Sequence, residues 1–502
     1  MIINNEDERK LVIIALLSSL LLAALDQTIV ATALPKIASD LKGASSLSWV
    51  ISVYLLSSTI VTPIYGKLGD LYGRKRMLII AVLVFLGGSL LCGISSNFAI
   101  LVIARFIQGL GAGGLFPLVL GTISDIVPLA ERGKYQAYFG VTFGASSILG
   151  PILGGTLTDI LSWRFIFFIN IPVGILSIFL LVKYLNEMNK ISKPKIDYLG
   201  AVLLSTIIGI ILFITVLSES NIFNVKNLIL SILAVLLIFF FILTEKKAKE
   251  PILELNLFKN KSFLGTIVVS LVTGASLFGV LVYLSIYIQV VLGYSSTKAG
   301  LALLPLTLGL FPSSMIAGRK VSNSGYFKKY LILGFSVLSI AIFSLTFISS
   351  TTNYFMLASS LLLVGIGLGF LIQIPNLVAT SIVEKKYIGI GASTVTFFRQ
   401  IGATVSTAIF GSILNIRLSE RLNQVLSEMF NKRVEMPTRI TSFEKLNLMP
   451  SGVRDLIIES FARSIGDIFK VSLILSLVGL VVALVIPNIK LKGSKSDSIA
   501  GE

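Results

Sequence analysis

The 502-residue sequence contains no histidine and a single cysteine, Cys92. Without histidine, the chain cannot form a Ser-His-Asp triad, a histidine metal site or a histidine proton relay. One cysteine excludes an internal disulfide and a cysteine-based metal centre. Charged residues make up only 13% of the chain, against about a quarter in soluble proteins. Any proton transfer must therefore rely on carboxylates, and most of the chain must lie outside water.

Long hydrophobic runs dominate what is present, since 55% of the residues are hydrophobic. A helix needs about 20 apolar residues to cross about 30 Å of hydrocarbon. Runs of this length recur along the whole chain, so we predict an all-α polytopic membrane protein with 14 transmembrane helices. Their approximate bounds are 11–33, 47–65, 77–96, 98–120, 136–158, 164–183, 197–217, 227–244, 263–290, 299–317, 330–349, 353–379, 391–413 and 466–487.

The net charge of +17 is distributed unevenly between the two sides that this topology defines. If residue 1 lies in the cytoplasm, the cytoplasmic segments hold 26 Lys and Arg, against five in the short outer loops. Because basic residues are retained in the cytoplasm, we predict a multi-pass protein of the cell membrane with both termini cytoplasmic. Nucleic-acid binding is not expected, since the sequence has no water-facing domain on which basic residues could cluster.

One outer segment, 414–464, is long and carries eight Lys and Arg, which long loops tolerate regardless of topology. Its stretches 418–430 and 453–465 have apolar residues at helical spacing. This pattern fits an amphipathic helical hairpin against the outer face of the protein. A solvated linker is the alternative.

The sequence also contains an internal repeat. The pair Gly66 and Gly73 recurs 252 residues later, and GLGAG at 109–113 recurs 256 residues later as GIGLG. Two motifs that recur at nearly the same offset indicate duplicated six-helix halves with two helices inserted between them. The predicted division is 1–190 for the N-terminal half, 191–250 for the inserted helices, 251–490 for the C-terminal half including the extracellular loop 414–464, and 491–502 for a cytoplasmic tail.

Two charged residues interrupt the apolar spans early in the chain, Asp26 in the first and Arg105 in the fourth. Ionisable residues at such depth are costly and usually functional, so Asp26 is the candidate proton carrier. Arg105 keeps its proton and is expected to lie within reach of Asp26 and to influence when that group releases its proton. Two alternatives stay open: a purely structural pair, and an Arg105 side chain that extends towards the outer membrane surface.

The stretch GKLGDLYGRKRML at 66–78 is predicted to be a short basic turn between two spans. Gly66 and Gly73 would let the backbone turn. Asp70 could complement the positive end of a helix from the opposite half, while Arg74 pairs with a carboxylate, so that the two halves are held together on the cytoplasmic side. Lys75 adds to the positive charge there. The alternative is that these charges only fix topology.

Glycines and one proline mark further positions of close helix packing. Gly150, Pro151, Gly154 and Gly155 lie in the predicted fifth span, where the proline would bend the helix and the glycines would let neighbours approach. GLGAGG at 109–114 matches a dinucleotide-binding fingerprint, but it lies inside an apolar helix with no preceding strand. We therefore interpret it as a helix-packing motif.

The order of these motifs resembles that in the fourteen-span drug:proton antiporter branch of the major facilitator superfamily. The resemblance covers nearly the whole chain. Besides GKLGDLYGRKRML, the matching stretches are LDQTIVATALP (25–35), RFIQGLGAGG (105–114), LGPILGG (149–155), WRFIFFINIPVG (163–174), EPILELNLF (250–258) and FRQIGATVS (398–406).

This resemblance implies the major facilitator fold, no enzymatic activity and no cofactor or metal. It also implies a coupling carboxylate at Asp26 and a partner arginine at Arg105, and it associates the motif at 149–155 with antiport. Many relatives carry a further acidic residue in the C-terminal spans, whereas predicted spans 9 to 13 of this chain contain none. Asp26 is thus the sole deep carboxylate. The implied partners are a small-molecule substrate, protons and the lipid bilayer, and we expect a monomer.

The substrate cavity is predicted between the two halves, near the bilayer midplane. A pocket of aromatic side chains and few polar groups suits amphiphilic molecules, including cationic ones. The predicted function is therefore proton-coupled export of amphiphilic, drug-like compounds by alternating access. The alternatives are export of a lipid, siderophore or other metabolite, and a non-transporting membrane sensor. Candidate cavity residues are Tyr54, Gln108, Phe143, Phe278, Gln289, Gln373, Asn376, Phe397 and Arg399.

Overall fold

The computed structural model describes residues 6–41, 48–186, 197–214, 225–248, 251–294, 296–384, 387–430 and 451–491. Nearly all of them are helical. In chain order the helices are α1 (Glu6–Asp40), α2 (Ser48–Tyr72), α3 (Arg74–Gly93), α4 (Phe98–Ile126), α5 (Leu129–Ile160), α6 (Phe165–Phe168), α7 (Asn170–Tyr184), α8 (Tyr198–Leu212), α9 (Val225–Lys247), a 3-10 helix (Leu255–Lys259), α10 (Lys261–Val290), α11 (Ser296–Ala302), α12 (Leu304–Ser324), α13 (Lys328–Leu345), α14 (Tyr354–Ile382), α15 (Ile388–Phe430) and α16 (Ser451–Val485).

The helices have the lengths and compositions of membrane spans. Within the described residues, eleven helices are long and apolar enough to cross a membrane. Helices α5, α8 and α12 overlap the three remaining predicted spans without meeting both criteria. The all-helical polytopic class is confirmed, and the total of fourteen spans stays a prediction.

The helices form two bundles, each with its own buried apolar core. In the first, α1 packs on α5 and α7, and α4 packs on both α2 and α3. In the second, α10 packs on α15 and α16, and α14 packs on both α12 and α13. The principal contacts between the bundles join α2 to α15 and α5 to α12. A central space lies between these two contact lines.

The pairs α2–α4 and α12–α14 pack in the same way. A Cβ atom at Gly109 would meet the Tyr54 carbonyl oxygen, and one at Gly365 would meet the Leu306 carbonyl oxygen. These residues are related by 256 and 252 positions, the two offsets of the sequence repeat. The glycines therefore allow the same close backbone approach in both bundles.

The helix ends repeat as well. Gly73 ends α2 with φ of 93°, and Gly325, 252 residues later, ends α12 with φ of 76°. Asn97 and Asn353, 256 residues apart, each accept a backbone N–H at the start of α4 and α14. Glycines with positive φ and asparagine N-caps are local features of helix ends. The two halves therefore share their helix ends as well as their helix packing.

The inserted helices α8 and α9 pack on each other, and α8 also packs against α2. Their apolar side chains, including Phe241, form one cluster with Phe397 of α15. The backbone N–H groups of Ile252 and Leu253 donate to the Glu245 carboxylate at 3.3 and 3.4 Å, which ties the end of α9 to the segment leading into α10. The inserted pair thus covers the line along which α2 meets α15.

The structure corrects the expectation that 66–78 forms a turn between two spans. Helix α2 continues to Tyr72 and α3 begins at Arg74, so Gly73 alone separates them. Gly66 does not turn the chain, because it lies inside α2. Its lack of a side chain serves packing instead: a Cβ atom there would meet the Ser393 side chain of α15.

The predicted outer hairpin consists of extensions of two long helices. α15 runs through to Phe430, and α16 begins at Ser451. The two helices contact each other where Arg421 donates to Asp467 at 2.6 Å and to Ser464 at 2.9 Å. Residues 431–450 of the predicted loop lie outside the described residues.

Candidate functional site

A buried ion pair lies inside the first bundle. Arg105 Nη1 donates to Asp26 Oδ2 at 2.6 Å, while Gln108 Nε2 and Asn170 Nδ2 donate to Asp26 Oδ1 at 2.8 and 3.3 Å. Asp26 is 0% exposed and Arg105 is 1% exposed. Both carboxylate oxygens therefore have hydrogen-bond donors, and the negative charge is matched at the centre of the network.

Arg105 is held from several sides. Its Nε donates to the Val50 carbonyl oxygen at 3.1 Å, and its Nη1 also donates to Gln108 Oε1 at 2.7 Å. Its Cζ lies 4.1 Å from the centre of the Tyr54 ring, a cation–π geometry. The guanidinium is directed into the bundle, so the alternative in which it extends to the membrane surface does not hold.

Sequence reasoning missed the outer part of this network. Asn170 donates to Ser89 Oγ at 3.0 Å, and Ser89 donates to the Phe167 carbonyl oxygen at 2.8 Å. The buried Cys92 thiol donates to Gln108 Oε1 at 3.6 Å. The available signal was a lone amide within WRFIFFINIPVG, because a polar side chain in an apolar span needs an internal partner.

A cavity of about 130 Å³ lies between the two bundles. Its wall is mostly apolar and includes Phe116 and leucines from α2, α10 and α12. Four residues predicted for the cavity are in this wall: Phe278, Gln373, Asn376 and Arg399.

The other predicted cavity residues lie elsewhere. Tyr54 and Gln108 belong to the Asp26 network, because they face the interior of their own bundle. Gln289 lies near the end of α10, where its amide donates to Ser285 Oγ at 3.1 Å. Phe397 is turned towards α8 and α9, which take up the apolar face of α15 at that point. The side chain of Phe143 lies outside the described part of the structure.

Two glutamines in the cavity wall were not among the predicted cavity residues. Gln400 accepts a hydrogen bond at 3.0 Å from Thr62 of α2, so it connects the two bundles. Gln27 follows Asp26 in the chain and faces both the cavity and the Tyr54 hydroxyl. The cavity wall and the buried ion pair are thus connected through consecutive residues of α1.

A second polar cluster joins the bundles where α2 ends and α15 begins. The backbone N–H groups of Gly389 and Ile390 both donate to the Asp70 carboxylate at 3.1 Å. Arg74 pairs with Asp70 at 2.9 Å and with Asp125 of α4 at 2.7 Å. Because the first N–H groups of a helix carry partial positive charge, the Asp70 carboxylate clamps α15 against α2. We call these five residues the latch.

Glycines make room for the latch. A Cβ atom at Gly121 would meet the Arg74 guanidinium, and one at Gly389 would meet the Asp70 carboxylate. Lys75 does not take part, since its ammonium donates to the Val182 carbonyl oxygen of α7 at 2.8 Å. The latch therefore depends on one charged residue from each of the helices α2, α3 and α4 and on the backbone of α15.

The glycines of the predicted fifth-span motif lie along α5, which is continuous past residue 151. A Cβ atom at Gly150 would meet Thr28 of α1, and Thr28 donates to the Ser146 carbonyl oxygen at 2.8 Å. Gly154 is buried and Gly155 is partly buried, whereas the side chain of Pro151 lies outside the described residues. The motif brings α5 close to the helix that carries Asp26.

The family model described as Major Facilitator Superfamily matches residues 16–407. The chain belongs to the Major Facilitator Superfamily. It is 33% identical over 474 residues to Multidrug resistance protein 3 of Bacillus subtilis (strain 168), covering 93% of this chain and 92% of that protein. It is 30% identical over 527 residues to Multidrug transporter protein MdtP of the same organism, covering 98% and 96% of the two chains.

Among solved structures, this superfamily member is similar to the proton:xylose symporter XylE, with a TM-score of 0.63 at 14% identity, covering 99% of this chain and 100% of that one. A likeness at this identity shows the fold. The chain is accordingly a multi-pass membrane transporter of the Major Facilitator Superfamily and not an enzyme. Its placement in the fourteen-span branch remains a prediction.

Proposed function

We propose that this superfamily member exports amphiphilic, drug-like molecules across the cell membrane in exchange for protons, by alternating access. The observation that carries the proposal is the fully buried Asp26–Arg105 pair, whose carboxylate adjoins Gln27 of the cavity wall in the chain. The names of the two Bacillus subtilis relatives, which describe multidrug resistance and multidrug transport, support the substrate class. The charge distribution supports cytoplasmic termini, with the latch on the cytoplasmic side.

In this mechanism Asp26 binds and releases the transported proton. Two unit charges about 4 Å apart attract each other by about 4 kcal/mol at an effective dielectric constant of about 20. Protonation of Asp26 removes that attraction and frees Arg105 from its counter-charge. A membrane potential of 100 mV supplies about 2.3 kcal/mol for each elementary charge moved. The driving force and the strength of the pair are therefore of similar size, as reversible coupling requires.

The cavity is connected to the ion pair through α1. Gln27 contacts the cavity and adjoins Asp26 in the chain, and Tyr54 lies against both Gln27 and Arg105. A substrate in the cavity would press on the same helix turn whose carboxylate changes protonation state. Entry of a proton from outside would thereby promote release of substrate, and loss of that proton to the cytoplasm would reset the carrier.

The latch supplies the conformational part of the proposal. Access from the cytoplasm requires α2 and α15 to separate, which breaks the two hydrogen bonds that Asp70 accepts. Hydrogen bonds to a charged group contribute about 1.5–3 kcal/mol each. The latch therefore stabilises the state closed at this face by a few kcal/mol, which substrate and proton binding can overcome.

The test is Asp26→Asn in proteoliposomes that contain the purified full chain. Asparagine retains the size and an acceptor for Arg105 but carries no titratable proton. We expect efflux of amphiphilic dyes driven by a pH gradient to fall at least tenfold, while substrate binding without a gradient persists. Size-exclusion profile and thermal unfolding report whether the variant is folded, and Asp26→Glu is expected to restore part of the coupling.

The matched control is Asp40→Asn, the same change near the end of the same helix. Asp40 accepts a hydrogen bond from Trp163 at 3.0 Å and lies away from the Asp26 network. Its substitution is expected to leave pH-driven efflux within twofold of wild type. Wild-type proton-coupled efflux in a folded Asp26→Asn protein would disprove the mechanism.

A further inference from the structure

Arg399 on α15 is the charged residue among the described residues that line the central cavity. It differs from Arg105, whose charge is matched by Asp26. No carboxylate of the described residues forms an ion pair with Arg399, and its guanidinium makes no hydrogen bond to them. Its backbone is closely packed, because a Cβ atom at Gly274 of α10 would meet the Arg399 carbonyl oxygen. The structure thus holds an unmatched positive charge at the cavity wall.

The hydroxyl groups around Arg399 offer acceptors rather than donors. Thr59, Thr404 and Thr407 each donate to a carbonyl oxygen of their own helix, at 2.7, 2.9 and 2.7 Å. The carbonyl group of the Gln400 side chain already accepts from Thr62. By contrast, a guanidinium has five N–H donors in a planar fork. The strongest free donor set in this wall is therefore that of Arg399.

We infer that the cavity selects amphiphiles that carry a carboxylate or a similar anionic group. The anionic group would bind the guanidinium of Arg399, and the apolar body would lie against Phe116, Phe278 and the surrounding leucines. This inference rests on the proposed transport function, because it names the substrate class of the same cavity.

Three physical arguments support this charge preference. An arginine in a membrane-spanning helix is costly unless an opposite charge or water compensates it. A carboxylate matches the guanidinium with two parallel hydrogen bonds. A cationic ligand could stack on Phe116 or Phe278, but it would then share a low-dielectric cavity with a like charge and no carboxylate from the described wall. Among the amphiphiles that the aromatic content suits, this residue favours anionic over cationic ones.

The experiment measures equilibrium binding to the purified full chain without a proton gradient. The probes share one apolar body and differ in charge: 1-naphthylacetate, neutral 1-naphthylacetamide and (1-naphthylmethyl)trimethylammonium. We expect wild type to bind the carboxylate at least tenfold more tightly than the cation. Arg399→Gln should weaken carboxylate binding at least tenfold and change binding of the neutral probe less than twofold, whereas Arg399→Lys should retain most of the carboxylate preference.

Arg417→Gln is the matched control, since it removes a guanidinium from the same helix at an exposed site where Arg417 pairs with Glu420 at 3.0 Å. It should leave all three affinities unchanged. Equal or tighter binding of the cation by wild type, unaltered carboxylate binding by folded Arg399→Gln, or no saturable carboxylate binding by wild type would each overturn the inference. Because binding is measured without a gradient, failure of proton coupling in Asp26→Asn leaves this outcome unaffected, so the two proposals can fail separately.

Discussion

The two bundles share their backbone packing but differ in the chemistry of their interiors. The repeat offsets of 256 and 252 identify the C-terminal counterparts of the residues around the ion pair. The correspondences are Tyr54 with Leu306, Arg105 with Leu361 and Gln108 with Val364. All three C-terminal residues are buried apolar side chains. Duplication has therefore preserved the glycine-mediated contacts, whereas, at these described positions, the polar side chains of the network occur in the first half alone.

The second half carries a charged residue, Arg399, at a position that does not correspond to Asp26 or Arg105. Arg399 is on α15 at the cavity between the bundles, where a ligand can reach it. The first half thus holds a matched internal ion pair, whereas the second half places an arginine at the cavity wall. Under the proposed mechanism, the first half would bind the proton and the second half would bind the substrate.

The largest expected effect comes from making the first half resemble the second. Arg105→Leu leaves Asp26 buried without its counter-charge, which should lower the free energy of unfolding by about 3–5 kcal/mol. Asp26→Asn combined with Arg105→Leu removes both charges, and we expect it to regain much of that stability without regaining proton coupling. Thermal unfolding in detergent and pH-driven efflux measure the two properties separately.

The control for this pair is Leu361→Met at the position that corresponds to Arg105. A volume-conserving change in an apolar core should alter stability by less than about 1.5 kcal/mol. If Arg105→Leu lowered the free energy of unfolding as little as Leu361→Met, the ion pair would contribute little to stability. That result would contradict the proposed contrast between the two interiors.

The next comparison concerns the latch, since Asp70 corresponds to Ser322 in the second half. Asp70→Ser removes the carboxylate that accepts the N–H groups of Gly389 and Ile390. Because bonds to a charged group are worth about 1.5–3 kcal/mol each, we expect hydrogen exchange of these two amides to accelerate about 10- to 100-fold. Mass spectrometry of peptides that cover 387–394 measures this rate.

Asp125→Ser is the matched control for the latch. It removes the other carboxylate bonded to Arg74 but leaves the acceptor for α15 in place. Exchange at the start of α15 should then change by less than in Asp70→Ser. Equal acceleration in both variants would contradict the view that Asp70 clamps α15 directly.

The smallest expected effect tests what the halves have in common. Gly109→Ala and Gly365→Ala each place a methyl group against a carbonyl oxygen of the neighbouring helix. Overpacking of this kind costs about 1–3 kcal/mol, and we expect the two variants to be destabilised to a similar extent in thermal unfolding. Gly87→Ala meets no atom within 4 Å and should be neutral or stabilising. Clearly different losses of stability in Gly109→Ala and Gly365→Ala would contradict the structural equivalence of these two positions.

The sequence predicted those features that depend on hydropathy, glycine spacing and charge. The helical class, the repeat offsets and the nearness of Arg105 to Asp26 follow from such local signals, because a buried guanidinium needs a nearby partner. It could not predict which face of a span meets the cavity. In a membrane the lipid and the protein interior are both apolar, so periodicity did not separate Phe278, which lines the cavity, from Phe397, which packs on the inserted helices.

Gly66 illustrates the same limit for the backbone. A glycine beside basic residues is typical of a turn, and nothing local shows that α2 continues past it. Position 66 needs a glycine because a Cβ atom there would meet the Ser393 side chain of α15, which is more than 300 positions away in the chain. Contacts between bundles are therefore visible only once the two halves are placed together.

The position of Cys92 has a practical consequence for experiments on this transporter. Its thiol is buried between α3 and α4, with 0% exposure. Maleimide reagents, which modify exposed thiols, should therefore not label the wild-type chain. A single cysteine introduced on the surface of either bundle can then be labelled selectively with a fluorophore or spin probe. Any slow labelling of Cys92 itself would report the rate at which the first bundle opens.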